Sequence, residues 1–132
     1  MPVVILPVLN EAEALPTLLP ALPAGWEALV VDNGSTDGSG QLAASLGARV
    51  VVEARRGFGA ACWAGLEAAR PRDGVVAFMD ADGSFDPADL ARVARPVLEG
   101  RTDLSLGARR PTVWGSFPLH ARLGNRVVVG EL

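Results

Sequence analysis

At 132 residues, with 49% hydrophobic and 20% charged residues, the chain is apolar enough to bury one core and is not of the disordered class. Its net charge of -3 and its scattered basic residues, all 12 of them arginine, argue against a nucleic-acid partner. Its one cysteine excludes an internal disulfide, and no apolar run is long enough to predict a transmembrane helix. The first residues lack the basic region and cleavage site of a signal peptide, which predicts a cytoplasmic protein.

Short apolar runs alternate along the chain with segments of helical character. The runs predict strands over 3–9, 28–32, 49–53, 75–79 and 103–106. The predicted helices are one that Asn10 caps and that ends near Pro23, one that ends at Gly47, one over 60–70, and one that begins at Asp86 and Pro87 and ends at Gly100. This alternation predicts an α/β fold, a three-layer α/β/α sandwich with a mostly parallel central sheet and right-handed crossovers.

The fourth apolar run, 75–79, leads directly into Asp80, Ala81 and Asp82. Its unbroken apolar character predicts a strand buried on both faces of the sheet. Residues i and i+2 of an extended segment point to the same side, so Asp80 and Asp82 can converge on one divalent cation or on a metal-bound diphosphate. Because Asp, Gly and Ser are also ordinary turn residues, the motif alone fits a solvated turn equally well.

Polar residues follow each of the first four predicted strands. They are Asn10 with Glu11, then Asp32, then Arg56 with Gly57, then Asp80 to Asp82. The carboxyl ends of parallel strands share one edge of an open sheet, and ligands bind at that edge. Side chains that suit a metal, a base and a phosphate are therefore expected together, which predicts a nucleotide site.

Four segments resemble, in order and spacing, the motifs of the family 2 glycosyltransferases of the GT-A fold. They are 7–11 (PVLNE), 30–39 (VVDNGSTDGS), 56–65 (RGFGAACWAG) and 79–83 (MDADG). The segment 106–109 (LGAR) is also similar to a Gly-Ser-Arg segment that follows in the family. The subgroup suggested by the motifs is the polyprenyl-phosphate mannose or glucose synthases. The resemblance implies one domain over 1–132, with the donor-binding part over about 1–110 and the start of an acceptor region, or a tail, over 111–132.

The resemblance implies a nucleotide-sugar site formed by these residues: Pro7, Leu9, Glu11, Asp32, Arg56, Gly57, Asp80 and Ala81. Asp32 is expected to hydrogen-bond to the base of a UDP- or GDP-linked sugar. Asp82, together with Asp80, is expected to bind Mg²⁺ or Mn²⁺. Arg56 suits a phosphate or a base because its guanidinium is a planar fork, although it can instead pair with a surface carboxylate such as Glu53.

The resemblance also implies transfer of the sugar with inversion of its anomeric centre. A divalent ion at Asp82 would act as a Lewis acid where negative charge develops on the departing diphosphate. An acceptor hydroxyl would need a general base, and no residue is identified for that role. A polyprenyl phosphate acceptor is already ionised and would need none. Such an acceptor would bring the protein to the inner face of the membrane by peripheral contact.

Two other functions also fit part of the sequence. The segment 80–85 (DADGSF) resembles the first motif of haloacid dehalogenase-type phosphatases, but those enzymes use a downstream lysine and the chain contains none. The chain can also be a nucleotide-binding module without transfer activity. A dinucleotide-binding fold is disfavoured because no glycine triplet follows the first predicted strand, and a P-loop NTPase because there is no Gly-Lys-Ser or Gly-Lys-Thr.

Overall fold

The computed structural model describes residues 1–69 and 74–109, so the predicted acceptor region or tail over 111–132 lies outside the described residues. The described strands form one sheet in the order β3-β2-β1-β4, in which β1 is Val3–Val8, β2 is Glu27–Asp32, β3 is Arg49–Val52 and β4 is Val76–Phe78. Each pairing is parallel. β1 pairs with β2 along its whole length but with β4 only from Val3 to Ile5.

Helices cover both faces of this sheet, as predicted. They are α1 (Leu15–Leu18), continued by a 3₁₀ turn (Leu19–Ala21), α2 (Ser39–Ser45), α3 (Phe58–Ala69) and α4 (Asp89–Leu98). One core lies between the sheet and α1, α2 and α4, and a second core lies between the sheet and α3. Of the helices described, none combines the length and the hydropathy needed to cross a membrane.

Helix α3 packs closely against the central strands because its buried face carries small residues. Ala61 and Ala69 are buried on this face. At Gly65, an added Cβ atom would overlap with Cγ2 of Ile5 and would lie 3.1 Å from Cγ2 of Val31. A glycine is therefore needed at this point for α3 to lie so near β1 and β2.

The chain changes its direction of travel across the sheet after β3. From β1 it proceeds through β2 to β3, whereas β4 lies on the opposite side of β1. The connection through α3 must therefore cross the sheet. Open α/β sheets bind ligands outside the carboxyl ends of the strands at such a switch point. In this fold the switch point lies between the ends of β1 and β4.

Two predicted strands differ from the structure. The run 75–79, predicted to be buried on both faces, forms only the short strand β4, which lies at the edge of the sheet among the described strands, and Phe78 is 49% exposed. The strand predicted over 103–106 is wrong, because the described residues place no strand there, and Leu104 and Leu106 are exposed. A segment becomes a strand only where a neighbouring strand pairs with its backbone groups. The apolar character of a run does not indicate whether such a neighbour is present.

The predicted helix cap at Asn10 is also wrong. Asn10 has a φ of 57° and takes part in contacts between two loops: its Oδ1 accepts from the N–H of Thr36 at 2.8 Å, and its own N–H donates to Oγ of Ser35 at 2.9 Å. Because these contacts occupy the groups that a cap would use, α1 begins only at Leu15. Asp86 likewise caps a turn before α4 begins, with Oδ1 accepting from the N–H of Ala88 at 3.0 Å.

Candidate functional site

A cavity of about 340 Å³ opens at the switch point between β1 and β4. It is lined by Pro7, Val8, Leu9, Glu11, Asn33, Gly57, Phe58, Ala61, Asp80, Ala81 and Asp82. Of the predicted site residues, Asp32 and Arg56 are not part of this lining, and the other residues all are. The structure thus brings together the predicted residues that follow β1 and β4.

Glu11 is held at the cavity by the loop that follows β2. Its N–H donates to Oγ of Ser39 at 2.9 Å, and the N–H of Ala12 donates to Oδ2 of Asp37 at 3.1 Å. Ser39 is fully buried, and its hydroxyl also donates to Asp37. Burial raises the pKa of Glu11, and the negative charges of Asp82 and Asp37 raise it further. A cation in the cavity would relieve this repulsion.

Asp82 is held in its charged form by the turn that it begins. Its Oδ1 accepts from the hydroxyl of Ser84 at 2.6 Å and from the N–H of Ser84 at 2.9 Å. These two hydrogen bonds, the hydroxyl first, lower the pKa of Asp82, and the positive charge of Arg109 lowers it further. Because both bonds go to Oδ1, Oδ2 takes part in neither, and the carboxylate keeps lone pairs with which to bind a cation.

Asp80 is paired with a residue that the sequence analysis did not assign to the site. Nη2 of Arg109 lies 3.2 Å from Oδ2 of Asp80, and the Arg109 guanidinium lies 4.5 Å from the centre of the Phe85 ring. A signal for Arg109 was available, since it ends the segment that is similar to the Gly-Ser-Arg segment of the resembled family. The site therefore contains a cationic group as well as three carboxylates.

The carboxylates fit a divalent ion that a bound diphosphate helps to coordinate. Within residues 1–69 and 74–109, no three His, Cys, Asp or Glu side chains gather closely enough to hold a metal ion by themselves. Mg²⁺ is usually bound in a different way, by one or two carboxylates together with substrate phosphates. Asp80 and Asp82, on one wall of the cavity, are a donor set of that kind.

Asp32 lies at the same edge of the sheet, but its carboxylate faces the turn after β2. Its Oδ1 accepts from the N–H of Ser35 at 2.9 Å, and its Oδ2 would lie 2.6 Å from a Cβ atom added at Gly40. The next residue, Asn33, lines the cavity instead. Asn33 was not among the predicted site residues, because nothing in the 30–39 motif distinguishes two adjacent polar residues that point in different directions.

Arg56 is exposed and does not line the cavity. The alternative that it pairs with Glu53 is wrong, because the partner of Glu53 is Arg55. Nε and Nη2 of Arg55 donate to Oε1 and Oε2 of Glu53 at 3.0 and 3.2 Å, and these hydrogen bonds lower the pKa of Glu53. Arg56 forms no hydrogen bond or ion pair with any other described residue. Its guanidinium is thus available to a ligand.

The sequence profile of the family described as glycosyl transferase family 2 matches residues 3–127. The chain belongs to this family. It is 49% identical over 129 residues to an uncharacterized glycosyltransferase of Mycobacterium tuberculosis, a match that covers 98% of this chain and 58% of the relative. It is also 39% identical over 117 residues to a polyprenol monophosphomannose synthase of Mycolicibacterium smegmatis, covering 80% of this chain and 44% of that protein.

A similar fold occurs in the solved structure of glucosyl-3-phosphoglycerate synthase from Mycobacterium tuberculosis in complex with Mn²⁺, UDP and glucosyl-3-phosphoglycerate. The match has a TM-score of 0.62 and 30% identity, and covers 74% of this chain and 39% of that one. These findings confirm the predicted GT-A fold and the membership of glycosyltransferase family 2, and they leave the phosphatase alternative without support. The chain spans 58% of the length of its mycobacterial glycosyltransferase relative.

Proposed function

We propose that the chain contains, over about residues 1–110, the donor-binding part of a metal-dependent glycosyltransferase that binds a UDP- or GDP-linked sugar in the cavity between β1 and β4. The observation that carries this proposal is the convergence of Glu11, Asp80 and Asp82 on one cavity at the switch point of the sheet. The likeness to a family member solved with Mn²⁺ and UDP supports the choice of ligand class.

The cavity walls suit the parts of a nucleotide. Pro7 and Leu9 offer apolar surface to the base, and Glu11 accepts hydrogen bonds from ribose hydroxyls. Gly57 has a φ of 124°, and nothing lies within 4 Å of the position that its Cβ atom would occupy. A ligand can therefore approach the backbone at Gly57, and also at the small Ala81, which lines the same cavity. Asp32 and Arg56 do not line the cavity itself. Asp32 is the proposed contact for the base, and Arg56 is the proposed contact for the base or the phosphates.

In this proposal Asp82, with Asp80, would hold Mg²⁺ or Mn²⁺ together with the diphosphate of the donor. When bound, the ion supplies Lewis-acid stabilisation to the departing diphosphate. Asp82 is suited to this role because the hydrogen bonds from Ser84 lower its pKa and so favour its ionised form further. Arg109, 3.2 Å from Asp80, adds a second positive group near the place where negative charge develops.

The acceptor proposed is a polyprenyl phosphate, and the transfer inverts the anomeric centre. The similarity to a polyprenol monophosphomannose synthase supports this class of acceptor. An ionised phosphate attacks without a general base, so the reaction needs no further acid or base from the cavity. An acceptor of this kind would place the protein at the inner face of the membrane through peripheral contact.

Isothermal titration of the protein with UDP and GDP, with and without Mn²⁺, tests the donor site. We expect metal-dependent binding of one of the two nucleotides, and we expect Asp82→Ala to abolish the metal-dependent part. Asp103→Ala is the matched control, because Asp103 is an exposed carboxylate outside the cavity. Circular dichroism would show whether both variants keep the fold. An unchanged affinity in Asp82→Ala would remove Asp82 from the site.

A further inference from the structure

Asn33 connects the end of β2 to the loop that follows β3. It is only 7% exposed, and its N–H extends the β1–β2 ladder by donating to the carbonyl of Val8 at 2.9 Å. Its side-chain Nδ2 donates to the carbonyls of Glu53 and Arg55 at 2.9 and 2.7 Å. Its Oδ1 accepts from the N–H of Gly57 at 3.1 Å. One buried amide therefore makes three hydrogen bonds to the backbone of a single loop.

These contacts use both N–H groups of the amide, so Asn33 has no donor left for a ligand although it lines the cavity. The loop over 53–57 has few other anchors, since β3 ends at Val52 and the β2–β3 ladder gives the loop one further bond, from the N–H of Glu53 to the carbonyl of Asp32. Backbone groups outside a ladder find their partners in other backbone groups, side chains or water. Asn33 supplies these partners for the loop.

The position of Arg56 depends directly on these bonds. Asn33 holds the carbonyl of Arg55 on one side of Arg56 and the N–H of Gly57 on the other. Gly57 and Phe58, the next residues, are part of the cavity wall. We infer that Asn33 is a positioning residue, which fixes the 53–57 loop so that the Arg56 guanidinium reaches the bound nucleotide and the Gly57 backbone forms the wall. This inference rests on the proposed nucleotide site.

The ion pair between Glu53 and Arg55 is the competing explanation for the shape of this loop. It lies at the same end of β3, but the Arg55 side chain is 70% exposed, and solvent weakens such pairs. Glu53→Gln removes the charge of this pair and leaves all three hydrogen bonds of Asn33 in place. It is therefore the matched control for Asn33→Ala.

A double-mutant cycle tests the inference, with titration of nucleotide in the presence of Mn²⁺ as the measurement. We expect Asn33→Ala to weaken binding about tenfold, the size of coupling found between residues that act through one another. In an Arg56→Ala background the same change should weaken binding by a smaller factor than in the wild type, because only the contribution of the Gly57 wall remains to be lost. Glu53→Gln should bind as the wild type does. Equal losses from Asn33→Ala with and without Arg56 would overturn the role of Asn33 in positioning Arg56.

Hydrogen exchange gives a readout that needs no stable variant and no ligand. The N–H of Gly57 belongs to an exposed residue, and its partner is the Asn33 side chain. We expect this amide to exchange much more slowly than that of Gly59, which lies in the first turn of α3. Fast exchange at Gly57 would overturn the inference even if the nucleotide binds. Protection at Gly57 in a protein that binds neither UDP nor GDP would refute the proposed function, and with it the purpose assigned to the loop.

Discussion

Nη2 of Arg109 lies 3.2 Å from Oδ2 of Asp80, although 29 positions separate the two residues in the chain. The same guanidinium lies 4.5 Å from the centre of the Phe85 ring. The contact joins the segment after β4 to the segment after α4, and it places a cation beside the proposed metal ligands. If Asp80 binds a metal ion as proposed, Arg109 and the ion would compete for its carboxylate.

Replacing Arg109 by methionine should raise the affinity for Mn²⁺ in the absence of nucleotide. The side chain keeps its apolar length but no longer neutralises Asp80. The gain should be at most about fivefold, because an exposed ion pair contributes no more than about 1 kcal/mol. Titration of Mn²⁺ into the nucleotide-free protein measures it. Arg101→Met is the control, since Arg101 pairs at 2.7 Å with Glu99, a carboxylate that does not line the cavity. A loss of affinity in Arg109→Met alone would contradict competition.

Glu11 should make stability depend on pH in a direction opposite to that of most carboxylates. Burial and the charges of Asp82 and Asp37 raise its pKa above the ordinary value of 4.5. The folded state therefore holds the proton more tightly than the unfolded chain does, and ionisation of Glu11 costs stability as the pH rises through the raised pKa. Below the ordinary pKa both states are protonated, and the cost disappears.

The substitution Glu11→Gln removes this cost. We expect it to raise the free energy of unfolding at pH 7 and to change it much less at pH 4. Urea unfolding at the two pH values measures the difference. Glu13→Gln provides a control at an exposed glutamate two positions away. A Glu11→Gln variant that is less stable than the wild type at pH 7 would show that the carboxylate is stabilised by contacts that outweigh its burial.

The position of the site at the carboxyl edge of the sheet could be predicted, because all strands of a parallel sheet end at the same edge. Glu11 follows β1 and Asp80 and Asp82 follow β4, so once the switch point was placed their meeting was determined. For Asp32, strand topology does not predict where the side chain points. This residue ends β2 at the same edge, yet its Oδ1 takes the N–H of Ser35 and its side chain turns away from the cavity. Side-chain direction at a strand end depends on the next turn.

The elements that were predicted incorrectly are those whose state depends on distant partners. Asn10 is a residue type that commonly caps helices, but here it hydrogen-bonds to Thr36 and Ser35 in another loop. The run 103–106 has the composition of a strand, but the described residues offer its backbone no neighbouring strand. Contacts of this kind join positions far apart in the sequence, and the periodicity of hydrophobic residues contains no information about them.

Gly65→Ala should destabilise the fold by about 1–3 kcal/mol, the usual cost of an added methyl group in a packed core. Its Cβ atom would overlap with Ile5 and press on Val31, so α3 would have to move away from the sheet. Gly59→Ala, in the first turn of the same helix, is the matched control, because nothing lies within 4 Å of its Cβ position. We expect this variant to be as stable as the wild type or slightly more stable. Equal stability of the two variants in urea would show that α3 does not pack as closely as described.

Two substitutions at Asp32 can distinguish a direct contact with the base from a structural role in the turn. Asp32→Asn keeps an oxygen that can accept from the N–H of Ser35 but removes the charge, whereas Asp32→Ala removes both. Loss of that hydrogen bond should cost Asp32→Ala about 1 kcal/mol in the free energy of unfolding, and Asp32→Asn should lose little.

If Asp32 contacts the base, both variants should bind nucleotide more weakly, and by the same factor with and without Mn²⁺, because the base does not touch the ion. Titration at both metal conditions, beside urea unfolding of each variant, measures the two effects separately. Normal binding in Asp32→Asn together with weak binding in Asp32→Ala would assign Asp32 to the turn alone. A loss that appears only with Mn²⁺ would instead connect Asp32 with the metal and contradict the base contact.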